Sequence, residues 1–268
     1  MSLLTEIQSK YSSFSAKDKG IADYLLSSPA EASRSTIQTL AKKTNVSNAT
    51  ITRFCKKVSC KNFSELKVKL ASETHHNLED NIDSRLKQQY VDVFRDVQGL
   101  NRADIIHNTL QLITKANRIY IYGLGSSGLA AQELNYRLNR MGFTCEAVTD
   151  SHLMIIRSTL LKEDDLLIAF SRSGQTKDLI TSIIKARKSG AKIVSLTAYE
   201  NTHLTKLSDE VLKTIHPGRN AYLSTGLDLS TLFLIDLISM HFLKDPETMK
   251  IYENTIAAIS SEAHLKQD

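Results

Sequence analysis

At 268 residues, with 41% hydrophobic and 24% charged positions, the chain has the make-up of a globular protein of one large domain or two ordinary ones. No apolar run approaches the roughly 20 residues of a membrane span, and the opening MSLLTEIQSKYSSFSAKDKG lacks the basic-then-apolar order of a signal peptide. The net charge of +5 is unevenly held: residues 1–75 carry twelve Lys/Arg against six Asp/Glu, the remainder twenty-two against twenty-three.

Along the chain, Ser15 is placed to cap a helix over 16–26, with Ile21, Tyr24, Leu25 and Leu26 inward, and Ser27-Ser28-Pro29 to end it. A second helix is expected over 35–43, burying Ile37, Leu40 and Ala41. After Thr44-Asn45-Val46, a third begins at Ser47 and turns Ile51, Phe54, Cys55 and Val58 inward. Two short helices joined by such a turn are a helix-turn-helix. Asn45 suits a positive φ, Val46 can plug the junction, and Ser47 caps a candidate recognition helix, SNATITRFCKK. Ser47, Asn48, Thr50, Thr52, Arg53 and Lys57 are the candidate DNA contacts, with Arg53 suited to guanine and Asn48 to adenine. A basic surplus alone describes any solvated face. Joined to this turn chemistry, it points to double-stranded DNA.

A further helix is expected over 64–74, packing Leu66, Val68 and Leu70, with Phe63 before its cap as a hydrophobic staple. Residues 76–103 are polar, with spaced apolar positions (Leu78, Ile82, Leu86, Tyr90, Val93, Phe94, Val97) that suggest a helical connector able to pack against a partner subunit. His75 and His76 read as solvated rather than metal-binding. Cys55, Cys60 and Cys145 have no metal-type spacing and read as buried apolar groups in a reducing, cytoplasmic setting.

From residue 104 helix and strand alternate. Strands are expected at 119–122, 145–148, 166–170, 193–196 and, more weakly, 210–215. Helices are expected at 105–115, from 129 to Gly142 (Leu129, Leu134, Leu138 and Met141 inward), and at 151–161, 177–188, 204–207 and 225–242. This alternation predicts a parallel five-stranded sheet with helices on both faces, and a ligand beyond the carboxyl ends of its strands.

Two loops fall there. Gly123-Leu-Gly-Ser-Ser-Gly128 matches the dinucleotide pattern G-x-G-x-x-G, and Asp150 follows where a ribose-binding acid could sit, although it equally suits a helix cap. Ser171-Arg-Ser-Gly-Gln-Thr176 concentrates hydroxyls at a second strand-to-helix junction. Hydroxyls from both loops and two helix N-termini converging on one point suit a small, strongly hydrated anion such as a phosphate monoester better than a pyrophosphate.

On these motifs, residues 118–215 resemble the sugar isomerase (SIS) domain, a flavodoxin-like fold. Residues 1–75, through SNATITRFCKK and NFSELKVKL, resemble the helix-turn-helix domain of the RpiR family. The resemblance implies a DNA-binding transcriptional regulator of carbohydrate metabolism: an all-α head over 1–75, a connector over 76–103 and an α/β sensor over 104–268. It implies that Ser126, Ser127, Ser171, Ser173 and Thr176 hold the phosphate; Gly125, Arg172 and Gln175 are further candidates from the two loops, Arg172 standing where SIS domains vary and able either to add a charge to the anion or to face solvent. It implies a phosphorylated sugar as effector and no separate cofactor or metal, a dimer or tetramer, and an inverted-repeat operator. Where the family commonly has Gly-Phe, this chain has Asn62-Phe63, and Asn tolerates the same left-handed backbone. Two alternatives remain: a phosphosugar isomerase with an accessory DNA-binding domain, its acid/base drawn from Glu133, Asp150, His152, His203 or His216, and a dinucleotide-sensing regulator.

Overall fold

The computed structural model describes residues 2–74, 82–215 and 228–264. It divides into two compact units: residues 1–100 with the stretches 198–202 and 213–230, and residues 101–197, 203–212 and 231–268.

The first unit is helical. Helices α1 (Leu3–Ser9), α2 (Ala16–Ser27), α3 (Pro29–Arg34), α4 (Ile37–Thr44), α5 (Asn48–Lys57), α6 (Phe63–Thr74) and α7 (Ile82–Gln98) follow one another. Ser15 caps α2 in a capping box with Asp18. Pro29 does end α2, but it also opens α3, because its missing N–H is one the first helical turn cannot use. The second expected helix therefore starts late, at Ile37, with Thr36 as its cap. Asn45 is left-handed (φ 52°, ψ 46°), its N–H returns to the Ala41 and Lys42 carbonyls, and Val46 packs on the core. Ser47 caps α5 by accepting from Thr50 N. The core joins Ile7, Ile21, Leu25, Leu40, Ile51, Phe54, Val58, Leu66 and Leu70, with the Phe14 and Phe54 rings 5.2 Å apart.

Several expectations are corrected here. Val68 is exposed, because Leu66 and Leu70 lie four apart on one face and Val68 lies opposite them. Asn62 is not left-handed; its Oδ1 accepts from Glu65 N, so Asn62 caps α6 and Phe63 becomes its first residue. Helix α1 was not foreseen. Ser2 caps it by accepting from Thr5 N, and distant carboxylates meet the rest of its N-terminus: Glu73 accepts from Leu3 and Leu4 N, and Asp96 from Ser2 N and Thr5 Oγ1. Burial, with the Asp96 charge adding to it, pushes the Glu73 carboxyl above its ordinary value despite these bonds. The histidines at 75 and 76 and the start of the connector lie outside the described residues.

The second unit opens with α8 (Ala103–Lys115), then alternates β1 (Ile119–Gly123), α9 (Ser126–Arg140), β2 (Cys145–Val148), α10 (Ser151–Ser158), β3 (Leu166–Phe170), α11 (Lys177–Lys188), β4 (Lys192–Thr197), α12 (His203–Leu207) and β5 (Glu210–Lys213). The sheet order is β2-β1-β3-β4-β5, and the β1–β2, β1–β3 and β3–β4 pairs are parallel. Alternate residues feed the two faces. Tyr120, Tyr122, Leu167, Ala169 and Ile193 pack with Met154, Leu179, Ile183 and Ala186 of α10 and α11. The fully buried Tyr122 hydroxyl donates to the Met154 carbonyl and lies 3.2 Å from Ser158 Oγ; burial pushes this phenol up to about 12. Leu129 is exposed rather than inward, while Leu134, Leu138 and Met141 are buried as expected.

The chain continues with α13 (Leu229–Phe242) and an unforeseen α14 (Pro246–His264). Helix α14 is held to α9 through Arg140, whose guanidinium lies 4.5 Å from the Tyr252 ring centroid while its Nε donates to Thr255 Oγ1. The three thiols are free; Cys55 and Cys60 are buried as expected and Cys145 only partly, and burial pushes both Cys55 and Cys145 up to about 11.

Candidate functional site

The sheet order reverses between β1 and β3: the chain leaves β1 toward β2 on one side and β3 toward β4 on the other. Such a switch point opens a crevice beyond the strands' carboxyl ends. Both loops singled out from the sequence begin there, one after Gly123 and the other after Phe170.

The first loop is compressed by its glycines. A Cβ on Gly123 would lie 2.2 Å from the Ser127 carbonyl oxygen, and one on Gly128 would lie 3.0 Å from the Gly123 oxygen and 3.1 Å from Thr149 Cγ2. Gly125 holds φ 58° with ψ −129°, a region essentially closed to other residues. The outcome is that Ser126 and Ser127 become the first residues of α9. In the second loop, Ser171 Oγ and Thr176 Oγ1 are 3.1 Å apart, Gln175 N donates to Ser173 Oγ, and Gly174 takes φ 59°. Arg172 reaches across, its Nη2 lying 3.5 Å from Ser126 Oγ. The structure thus brings the two predicted loops within reach of one another.

Capping gives the crevice its chemistry. Helices α2, α4, α5 and α10 each have a side chain accepting from a first-turn N–H. Helices α9 and α11, which start at the crevice, have none, a lack they share with α3 and α8: Gly125 has no side chain, and the Thr176 hydroxyl faces Ser171. Two helix N-termini without side-chain caps therefore start from adjoining strands, with Arg172 of one loop reaching Ser126 of the other, and an uncapped N-terminus can accept an anion in place of the missing cap.

The acid/base candidates are not gathered there as a pair. Glu133 accepts from Arg137 Nε at 2.7 Å, and Arg137 Nη1 also donates to Asp236 on α13. Asp150 caps α10 by accepting from Leu153 N at 2.8 Å, the helix-cap role rather than a ribose contact. His152 is exposed, His203 bonds to Gln175, and position 216 lies outside the described residues.

On the helical unit, Asn48, Thr52 and Arg53 are exposed on α5. Thr50 is not: it is buried, and its hydroxyl lies 2.9 Å from Ser47 Oγ. Lys57 is bound to Asp18 at 2.6 Å, an attachment of α5 to α2 that occupies its ammonium. Burial opposes ionisation of Asp18, but hydrogen bonds from Lys57 and Ser15 outweigh it and hold this carboxyl below its ordinary value. Exposed Lys42 on α4 and Lys56 on α5 were not among the residues singled out; their signal was the basic surplus itself.

Two family models match the chain. Residues 1–77 match the helix-turn-helix domain of the rpiR family and residues 112–239 the SIS domain. An HTH-type transcriptional regulator of Clostridium perfringens is 30% identical over 262 residues, covering 91% of this chain and 93% of that one. The chain belongs to the RpiR family. Like its relatives it is an HTH-type transcriptional regulator with a SIS domain, and as such it binds DNA. Among solved structures, the Vibrio vulnificus NanR protein complexed with ManNAc-6P is similar over 97% of this regulator and 98% of NanR, with TM-score 0.64 and 28% identity. Phosphoheptose isomerase GmhA from Neisseria gonorrhoeae covers 62% of the chain and 100% of its own, with TM-score 0.54 and 16% identity, a likeness of fold alone. Among the described residues, no helix is long and apolar enough to cross a membrane.

Proposed function

We propose that this RpiR-family regulator senses a sugar phosphate at the β1/β3 crevice and transmits its occupancy to the DNA-binding head. The observation that carries the reading is the pair of uncapped helix N-termini, α9 and α11, whose loops meet through Arg172 and Ser126; on this reading the hydroxyls of Ser126, Ser127, Ser171, Ser173 and Thr176 hold the phosphate. Gly125 allows close backbone approach, while Arg172 and Gln175 add donors. NanR, similar along its whole length, was solved with a phosphorylated amino sugar, which supports the same ligand class here. The dinucleotide reading loses its acidic residue, since Asp150 serves as a helix cap.

Sensing without turnover follows from the same residues. Sugar isomerisation requires a base and an acid near adjacent carbons, and the candidate Glu133 is tied to Arg137 while Asp150 caps a helix. The head comprises residues 1–75, the connector 76–103 and the sensor 104–268. On α7 the connector exposes Ile82, Leu86, Tyr90, Val91 and Phe94, an apolar stripe suited to contact within a dimer or tetramer. One helix-turn-helix reads few base pairs, so a symmetric assembly on an inverted repeat is the natural reader, with Asn48, Thr52 and Arg53 at base edges. Coupling is reciprocal: an effector that changes DNA affinity has its own affinity changed by DNA equally.

Calorimetry with a panel of hexose and pentose phosphates, and with NAD, tests the reading. Heat from a sugar phosphate, abolished in a Ser173→Ala/Thr176→Ala variant that keeps basal operator binding, is the expected result. Binding of NAD alone would overturn it, as would steady conversion of a ketose phosphate to an aldose phosphate by the purified protein.

A further inference from the structure

The second loop is held from outside itself. Thr197, the last residue of β4, donates its hydroxyl to the Arg172 carbonyl at 3.2 Å, and Leu204 N of α12 donates to the Gly174 carbonyl at 3.2 Å. These contacts fix the path of the backbone. The third contact is of a different kind: His203 Nδ1 lies 2.8 Å from Gln175 Oε1. Ser171 and Thr176 face each other, and Ser173 accepts from the loop's own backbone. Gln175 is thus the loop side chain whose orientation is set from α12.

Orientation matters for a primary amide because its two ends have opposite polarity. A glutamine beside an anion is useful only if its NH₂ group is presented; a carbonyl turned the same way repels the ligand. A neighbour that occupies the oxygen removes that ambiguity. His203 does so when Nδ1 carries the proton, which leaves the amide nitrogen of Gln175 as a donor. Left free, the side chain would lose rotamer entropy whenever a ligand ordered it; held by His203, it has lost that freedom beforehand.

We infer that His203 is a positioning residue of the anion site: it holds Gln175 by its amide oxygen so that the amide nitrogen donates to the phosphate group of the effector. This rests on the sugar-phosphate reading of the crevice. It adds α12 to the sensing apparatus, although neither composition nor motif marks that helix.

The test is a double-mutant cycle read by titrating the full-length protein with inorganic phosphate, the fragment common to every candidate effector. His203→Ala and Gln175→Ala should each weaken phosphate binding about fivefold, the scale of one net hydrogen bond. The double variant should bind no more weakly than Gln175→Ala alone. His203→Asn, which places an amide N–H where Nδ1 stood, should recover most of the loss. A direct contact between His203 and the anion would instead make the two losses multiply, and a merely structural role would lower the melting temperature without recovery in His203→Asn; either result overturns the inference. Wild-type protein that binds no phosphate, or a Ser173→Ala/Thr176→Ala variant that binds it normally, would overturn the crevice reading itself and this inference with it.

Discussion

Gly123→Ala is the sharpest test of how the first loop is built. The added methyl carbon would sit 2.2 Å from the Ser127 oxygen, 2.5 Å from its carbonyl carbon and 2.9 Å from Gly128 N, whereas ordinary contact begins at 3.4 Å. Relief requires moving the Ser127 peptide by about 1 Å, because every clashing atom is backbone and no rotamer change can help. Overpacking costs about 1–3 kcal/mol where side chains can yield; with rigid partners the upper end, about 3 kcal/mol, is expected. For a unit of this size that lowers the melting temperature by about 6–12 °C. The displaced peptide also carries Ser126 and Ser127, so anion binding should fall by at least about a hundredfold. Differential scanning calorimetry and phosphate titration measure the two effects. Gly99→Ala is the matched control, since no atom lies within 4 Å of its Cβ and its φ is not positive. A Gly123→Ala protein that melts and binds phosphate like the control would refute the account of the turn.

The DNA-binding head yields three further expectations. Asp18→Asn should cost about 1–3 kcal/mol, because it removes the charge that holds Lys57 to α2. The folded carboxyl titrates below its ordinary 3.8, so its contribution is complete above that pH and lost as pH falls through the folded value; denaturant unfolding should show the gap between wild type and Asp18→Asn closing below about pH 4, and a gap unchanged at pH 2 would contradict the ion pair. Asn45→Gly should be nearly neutral and Asn45→Val should cost about 1–2 kcal/mol, since only the latter resists φ 52°; equal melting temperatures for the two would remove the turn argument. Arg53→Ala should weaken specific operator binding by about 1–3 kcal/mol in a mobility-shift titration while leaving phosphate binding intact, and unchanged operator affinity would dismiss α5 as the reading helix.

Elements governed by local pattern were readable in advance. The bounds of helix α11 match because its apolar period and its closing Ser189-Gly190 turn agree; those of β3 match, and β1 runs one residue further to Gly123, because short apolar runs sit between turn signals. What escaped notice depends on partners far away in sequence. Helix α1 has a local cap in Ser2, but the N–H groups of Ser2, Leu3 and Leu4 depend on Asp96 and Glu73. Helix α14 has no buried side chain among those described, so its sequence lacks the stripe that announces a packed helix. Pro29 was read only as a terminator, although a proline also suits a first helical position. Thr50 was assigned outward from its polarity, yet the Ser47 hydroxyl satisfies it in a buried place. At the crevice the two loops were visible as motifs. The missing caps and the His203–Gln175 bond were not, since both are statements about what a side chain faces.

The sheet order also sets a sequence of events in synthesis. Ile119 pairs with Leu166, and Leu166 with Lys192, so the central strands find their neighbours only after long stretches of intervening chain have been made. Contacts of that range form slowly, whereas the short helices of the head satisfy one another within a few dozen residues. On the ribosome the helices that carry the DNA-reading face are made while the anion crevice still lacks its second wall, although stretches 198–202 and 213–230 join their unit later. A nascent regulator of this design acquires its DNA-binding surface before it can respond to any effector, and becomes responsive only once β3, β4 and the segment that tethers the second loop have emerged.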